Sequence, residues 1–182
     1  MRGVYSSRPA ERTVFKELFT SPATVHRNGG ALFNSPAVKN GITLNGSNQY
    51  ASYDTSATAF THPELSIVCR FSPSFEADDG TRYFMFDTKV GTHHALYKAT
   101  GSALIAYIGS TMVGASLATY QAYWLTGEEN VVGVTGTSTI TKMYLNGTLV
   151  ASGAAYSPDI VAGLEIGRQS NATDYFSGSI QG

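Results

Sequence analysis

The chain has 182 residues, enough for one domain that buries a sizeable core without disulfides or metals to hold it. Charged residues make up only 14%, whereas 19 Ser, 20 Thr and 19 Gly fill the sequence, a composition that favours short strands and turns over helices. The formal net charge is -1 with no basic stripe to neutralise phosphates, which excludes nucleic acid as a partner.

Charge is not spread evenly. Residues 1–40 hold Arg2, Arg8, Arg12, Lys16, Arg27 and Lys39 against Glu11 and Glu17, a net of +4, and the remainder carries -5. Residues 1–22 read as a basic arm in front of a domain spanning 23–182. Phe15, Leu18 and Phe19 fall at i, i+3 and i+4, so residues 11–19 predict a short helix whose apolar face needs a surface to pack on. No apolar stretch in residues 1–30 has the form of a signal-peptide core, which fixes no compartment, because virion proteins and chains cut from longer ones share that feature. Ser-Pro at 21–22 and 35–36 and Asn-Gly at 28–29 and 40–41 read as punctuation, not as core elements.

From residue 40 the pattern shortens and alternates. Strands are expected at 42–44, 49–53, 65–71, 82–87, 94–98, 103–108, 118–125, 130–135, 139–145, 149–152, 163–166 and 175–176. Turns are expected at 45–47, 78–80, 100–102, 126–128 and 146–148. Asn146-Gly147 suits the two positive φ angles of a tight hairpin loop. In that hairpin Thr141, Met143 and Leu145 are taken as the inward face, with Val131 or Val132 opposing them. Many short strands at this spacing predict an all-β, two-sheet antiparallel sandwich. Cys69, the single cysteine, sits in an apolar run and reads as a small buried side chain. The longest strictly apolar run, residues 103–108, is too short to span a bilayer, so no membrane insertion is expected.

Four phrases, in order, resemble the laminin-G-like, concanavalin A-like superfamily of jelly-roll sandwiches over about residues 40–180. Residues 41–50 (GITLNGSNQY) resemble its opening strand, turn and second strand. Residues 65–73 (LSIVCRFSP) are similar to "FTIEAWVKP". Residues 132–135 (VGVT) followed by 142–147 (KMYLNG) are similar to "VAVTYD…KLYVNG". Residues 164–168 (LEIGR) and 175–180 (YFSGSI) are similar to "LxIGR…YFxGxI". Two departures stand out: Arg70 replaces a frequent Trp, and Trp124 is the only Trp. The resemblance also implies an apolar strand beyond the "GxI" phrase, so either the sequence is a fragment lacking that last strand or another part of an assembly completes the edge, because sheet edges are rarely left bare.

Candidate chemistry follows from the same residues. Glycoside cleavage needs two carboxylates within about 5–10 Å, and no ExDxE-like run lies on a strand here. Glu76, Asp78 and Asp79 precede Gly80 in a turn, and the neighbours Glu128 and Glu129 would face opposite ways. His93 and His94 would point apart, His26 and His62 are isolated, and no catalytic serine phrase or phosphate loop is present. The chain is therefore not expected to be an enzyme. The resemblance implies calcium at a sandwich rim. Asp54, Asp78, Asp79, Asp87, Asp159, Asn171 and Asp174 could supply oxygens, with Asn171 and Asp174 the chosen pair. Sugar recognition needs aromatic faces beside planar polar groups, and Tyr120, Gln121, Tyr123 and Trp124 form the candidate carbohydrate patch. Asn45, Asn146 and Asn171 begin glycosylation-like triplets; with no secretory signal in view they read as chance, and the turns already explain the Asn-Gly pairs at 45–46 and 146–147. The leading expectation is a non-catalytic display or adhesion module, an oligomeric phage capsid or tail decoration protein on a virion or extracellular surface. Its partners would be other virion or surface proteins. The alternative is a carbohydrate-binding, lectin-like module, and a glycoside hydrolase stands behind both.

Overall fold

A computed structural model describes residues 21–22, 30–53, 58–60, 64–90, 94–157, 159–170 and 174–181. Residues 1–20 of the basic arm, with the predicted helix, and His26, Asp54, His62, His93 and Asn171, lie outside the described residues. Alternation dominates. Residues Leu104, Ala106 and Ile108 are buried while Ile105 and Tyr107 are partly exposed, and Thr141, Met143 and Leu145 are buried while Lys142 and Tyr144 are not. Such period-two burial is what a sheet with one face on a core requires.

Fifteen strands are described: β1 Gly30–Phe33, β2 Ala37–Val38, β3 Ile42–Asn45, β4 Tyr50–Tyr53, β5 Thr58–Phe60, β6 Leu65–Pro73, β7 Tyr83–Val90, β8 His94–Lys98, β9 Leu104–Ile108, β10 Thr111–Ala115, β11 Asn130–Gly136, β12 Thr141–Leu145, β13 Thr148–Gly153, β14 Asp159–Ile166 and β15 Ser177–Gln181. One sheet runs β1-β4-β14-β7-β8-β9-β10, with β5 added on the early part of β14. The other runs β13-β12-β11-β6-β15-β3-β2. Every pairing is antiparallel. Two packed sheets with long-range crossovers make a jelly-roll sandwich. Among the described residues, no helix is long and apolar enough to cross a membrane.

The expected hairpin faces hold. Val132 pairs with Leu145 in register, and both point into the core. Asn146 (φ 50°) and Gly147 (φ 83°) supply the two positive angles of the hairpin turn. Cys69 is buried, and burial pushes its thiol up to about 12. The strand β15 is hydrogen-bonded on both sides, by β6 and by β3, so this end of the described chain lies inside a sheet and is not one of its edges.

Three sequence expectations are corrected. Residues 30–33 and 37–38, lying among the punctuation signals with no strand expected before residue 42, form short edge strands. The predicted strand at 118–125 is a helical turn, α1 Leu117–Tyr120, continued by a 3-10 turn over Gln121–Tyr123. The reason lies in spacing: Leu117, Tyr120 and Trp124 stand at helical intervals, and all three pack on the core. The third concerns residues 175–176, where only an isolated bridge from Tyr175 to Arg168 forms before β15 begins.

Trp124 explains how the core manages with Arg70 in the place of a frequent Trp. Its indole packs against Phe71, Phe75 and Tyr120 with ring centroids 5.4, 5.7 and 5.8 Å away. Arg70 itself points outward, its side chain 55% exposed and 4.0 Å from Glu129.

Candidate functional site

The aromatic patch expected from sequence is divided by the core. Tyr120 is fully buried, and its hydroxyl donates to the carbonyls of Ala77 (3.2 Å) and Ser102 (3.0 Å). Trp124 is buried too, and its indole N–H donates to the Phe75 carbonyl at 3.2 Å. Gln121 and Tyr123 are exposed, on a loop tied down by Asn146, whose amide donates to the Tyr123 carbonyl at 2.8 Å. Two of the four residues are therefore structural and offer no platform to a sugar.

A different surface gathers polar and aromatic groups. On the outer face of the first sheet, one row of residues in register crosses the strands: Ser52, Glu165, Asp87, Ala95, Tyr107 and Met112. A neighbouring row holds Phe84, Tyr97 and Ile105. In an unbroken strand Phe84 and Asp87 would face opposite ways. A bulge between Phe84 and Phe86 on β7 adds a residue and puts both on the outer face. Phe84 stacks on Tyr97 (4.5 Å, 13°), and Tyr97 lies parallel to Tyr107 (6.4 Å, 7°).

The two acids of this row are buried and engaged. Glu165 accepts hydrogen bonds from the Arg168 guanidinium and from the Ser52 hydroxyl (3.4 Å). Asp87 accepts from the backbone N–H of Ser170 at 3.0 Å. Arg168 also lies 3.8 Å over the ring of Tyr50, which stacks on Phe33. Residues 168–170 are thereby tied to the sheet, and Gln169 is set at the edge of the tyrosines.

Two shallow grooves result, and Arg82 lines both. One, of about 190 Å³, is walled by Arg82, Phe84, Asp87, Ala95, Tyr97, Tyr107 and Gln169. The other, of about 210 Å³, lies at the rim between Asn45, Gly46, Thr81, Arg82, Tyr83, Asp174, Tyr175 and Ser177. Burial, and then Tyr107 beside it, hold the Tyr97 phenol above its ordinary value. None of the four patch residues expected from sequence lines either groove.

The acids named for calcium are placed as follows. Asp174 stands 3.4 Å from the Arg82 guanidinium, and its chosen partner Asn171 lies outside the described residues. Asp79 accepts from the Thr81 N–H (2.7 Å) and the Tyr83 hydroxyl (3.2 Å), and the Thr81 bonds hold its carboxyl below the usual range. The carbonyls of Asp79 and Thr81, which could have faced an ion, take the ammonium of Lys98 instead. Among the described residues no three His, Cys, Asp or Glu side chains converge as a metal cluster. Asp79, Asp87 and Asp174 thus hold cationic or hydrogen-bonding partners from the chain itself.

The carboxylate pair escaped the sequence reading because it is split between strands 78 residues apart in the chain, Asp87 on β7 and Glu165 on β14. A lone acid between apolar neighbours at period two (Leu164, Glu165, Ile166) was the available signal.

No family model matches the chain, and no curated protein matches it by sequence. Solved structures do match in fold. Domains LG4-5 of the mouse laminin alpha1 chain align with a TM-score of 0.56 at 13% identity, covering 78% of this chain and 39% of that one. Domain 4 of AbnA, an extracellular GH43 arabinanase from Geobacillus stearothermophilus solved with arabinotriose, aligns at 0.52 and 16% identity, covering 84% and 73%. Trypanosoma rangeli sialidase aligns at 0.58 and 15%, covering 84% of this chain but 26% of the enzyme. The chain thus spans well under half of the laminin and sialidase chains it matches. Its architecture is the concanavalin A-like, laminin-G-like jelly-roll β-sandwich.

Proposed function

We propose that this protein is a non-catalytic carbohydrate-binding module that takes a glycan on the outer face of its first sheet. One observation carries the reading: the parallel tyrosines Tyr97 and Tyr107 stand beside Arg82 and Gln169 in a shallow open groove. Sugars offer apolar ring faces and equatorial hydroxyls, so aromatic faces next to planar polar groups match them. The likeness to an arabinanase domain solved with arabinotriose supports the same reading. The virion display role raised by the sequence has no comparable support, since the structures named above are adhesion, arabinanase and sialidase chains.

The non-catalytic part rests on Asp87 and Glu165. Hydrolysis needs one carboxyl to deliver a proton and a second to attack or activate water. Here both are buried under residues 168–170 and used to hold them. The test is a glycan-array screen of the purified chain, run with calcium and again with chelator. Binding that disappears in Tyr97→Ala and Tyr107→Ala, with both variants folded, supports the module. Silence across the array sinks it, and release of reducing ends from any bound polysaccharide sinks the non-catalytic part.

A further inference from the structure

Arg82 lines both grooves and joins them. Its guanidinium reaches Asp174 through Nη1 at 3.4 Å, while its Nε has no hydrogen-bond partner. Each groove is smaller than the about 300–1,000 Å³ that encloses a drug-sized ligand, so each suits one small ring and not a compact larger one. Each also has its own tyrosines, Tyr97 and Tyr107 on one side of Arg82 and Tyr83 and Tyr175 on the other.

Each arginine around the grooves is matched by an acid of the chain itself. Arg82 pairs with Asp174 and Arg168 with Glu165, and Asp87 adds one further negative charge. An acidic sugar would have to displace Asp174 from Arg82 and then sit beside both Asp174 and Asp87. Like charges placed that close oppose binding. A neutral sugar meets no such penalty and can use the Nη N–H groups of the guanidinium as donors to its oxygens, the Nε being buried.

Building on the glycan reading above, we infer that the ligand is a neutral oligosaccharide that crosses Arg82, with one sugar ring in each groove. Arg82 donates to oxygens at the linkage between the two rings. An isolated monosaccharide fills half of the site, and an oligouronide is rejected by Asp87 and Asp174.

The test is a calorimetric titration of the wild-type protein with neutral arabino-, xylo-, manno- and gluco-oligosaccharides of one to four units, and with oligogalacturonides of the same lengths. The expected result is a gain of about tenfold or more in affinity from monosaccharide to di- or trisaccharide, then a plateau, with galacturonides at least about tenfold weaker. Arg82→Gln, which keeps the planar donor shape without the charge, should remove most of the chain-length gain. A monosaccharide that binds as tightly as its trimer, or a galacturonide that binds as tightly as its neutral counterpart, overturns this inference and leaves the glycan reading standing. No binding by any saccharide to the folded protein overturns both.

Discussion

Asp87 and Glu165 stand directly opposite each other across β7 and β14, and both are spent on a single stretch of chain. Glu165 holds Arg168, Asp87 holds the N–H of Ser170, and Gln169 between them is presented at the groove. Two acids facing each other on a sheet would ordinarily repel. Here each gains a donor from the overlying chain, so the pair acts as a clamp that positions one amide side chain.

The clamp gives the first prediction. Arg168→Met leaves the Glu165 carboxylate buried without its charged donor, which should cost about 3 kcal/mol. Urea unfolding followed by the fluorescence of the one tryptophan, Trp124, measures it. Adding Glu165→Gln should recover part of the loss, because the amide no longer carries an uncompensated charge. An Arg168→Met variant within about 0.5 kcal/mol of wild type would show that the pair is no clamp.

A second prediction concerns Lys98. Its residue surface is fully buried, and its ammonium donates to the carbonyls of Asp79 and Thr81 (3.1 Å for the latter). It also lies 5.8 Å from the Phe75 ring centroid and 5.5 Å from that of Tyr83, rings stacked 3.6 Å apart. Lys98→Met keeps the apolar stem but strands both carbonyls, at about 2–4 kcal/mol. Because Thr81 lines the rim groove, saccharide affinity should fall along with stability. Lys98→Arg, which keeps the charge but forces a larger planar head into the pocket, should recover only part of either.

How much of this could be read from the residues depends on the range of the interaction. Alternation placed most strands, because burial on one face repeats every second residue and needs no knowledge of partners. The hairpin at Asn146-Gly147 was legible because its turn demands positive φ angles that few residues tolerate. The edge strands β1 and β2 were hidden, since short edges are broken by the same Gly, Pro and Asn that mark loops. Tyr120 and Trp124 read from sequence as a surface patch because an aromatic run looks alike whether it faces a sugar or a core; only their donations to Ala77, Ser102 and Phe75 decide it. The groove was out of reach for a further reason. Its acids come from distant strands, and the bulge that aligns Phe84 with Asp87 leaves no mark in the local pattern.

A third prediction is an alkaline loss of stability in two stages. Burial raises the Cys69 thiol from 9.0 to about 12 and the Tyr120 phenol from 10.0 to about 12. Both folded forms hold their proton more tightly than the unfolded chain does. Their stabilisation is therefore complete below the unfolded values and is lost as pH climbs toward 12. That is about 4 kcal/mol from Cys69, beginning near pH 9, and about 3 kcal/mol from Tyr120, beginning near pH 10. Lys98, whose value desolvation lowers from 10.5, acts in the opposite sense, with stability rising between its folded value and 10.5. It offsets part of the fall. Unfolding free energies measured across this range should decline steeply in wild type. Cys69→Ala should delay the onset, and Tyr120→Phe should flatten the later part. Parallel curves for all three proteins would refute the assignment.

The last prediction separates two glycines that sequence alone treats alike. Gly178 on β15 is flanked in register by Leu44 on β3 and Pro73 on β6, with φ at 128°. A Cβ there would sit 2.1 Å from the Ser72 carbonyl oxygen, a backbone atom that cannot swing aside. Gly178→Ala should therefore combine dihedral strain with overlap against an interior strand and cost about 3 kcal/mol or more. Gly133 on β11 pairs with Val68 and Tyr144 and meets nothing within 4 Å of an added Cβ. Gly133→Ala should leave stability unchanged or raise it by about 0.5–1 kcal/mol, since it only narrows the freedom of the unfolded chain. Thermal midpoints of the two variants should move apart. If Gly178→Ala melted with wild type, β15 would not be clamped between β3 and β6 as described.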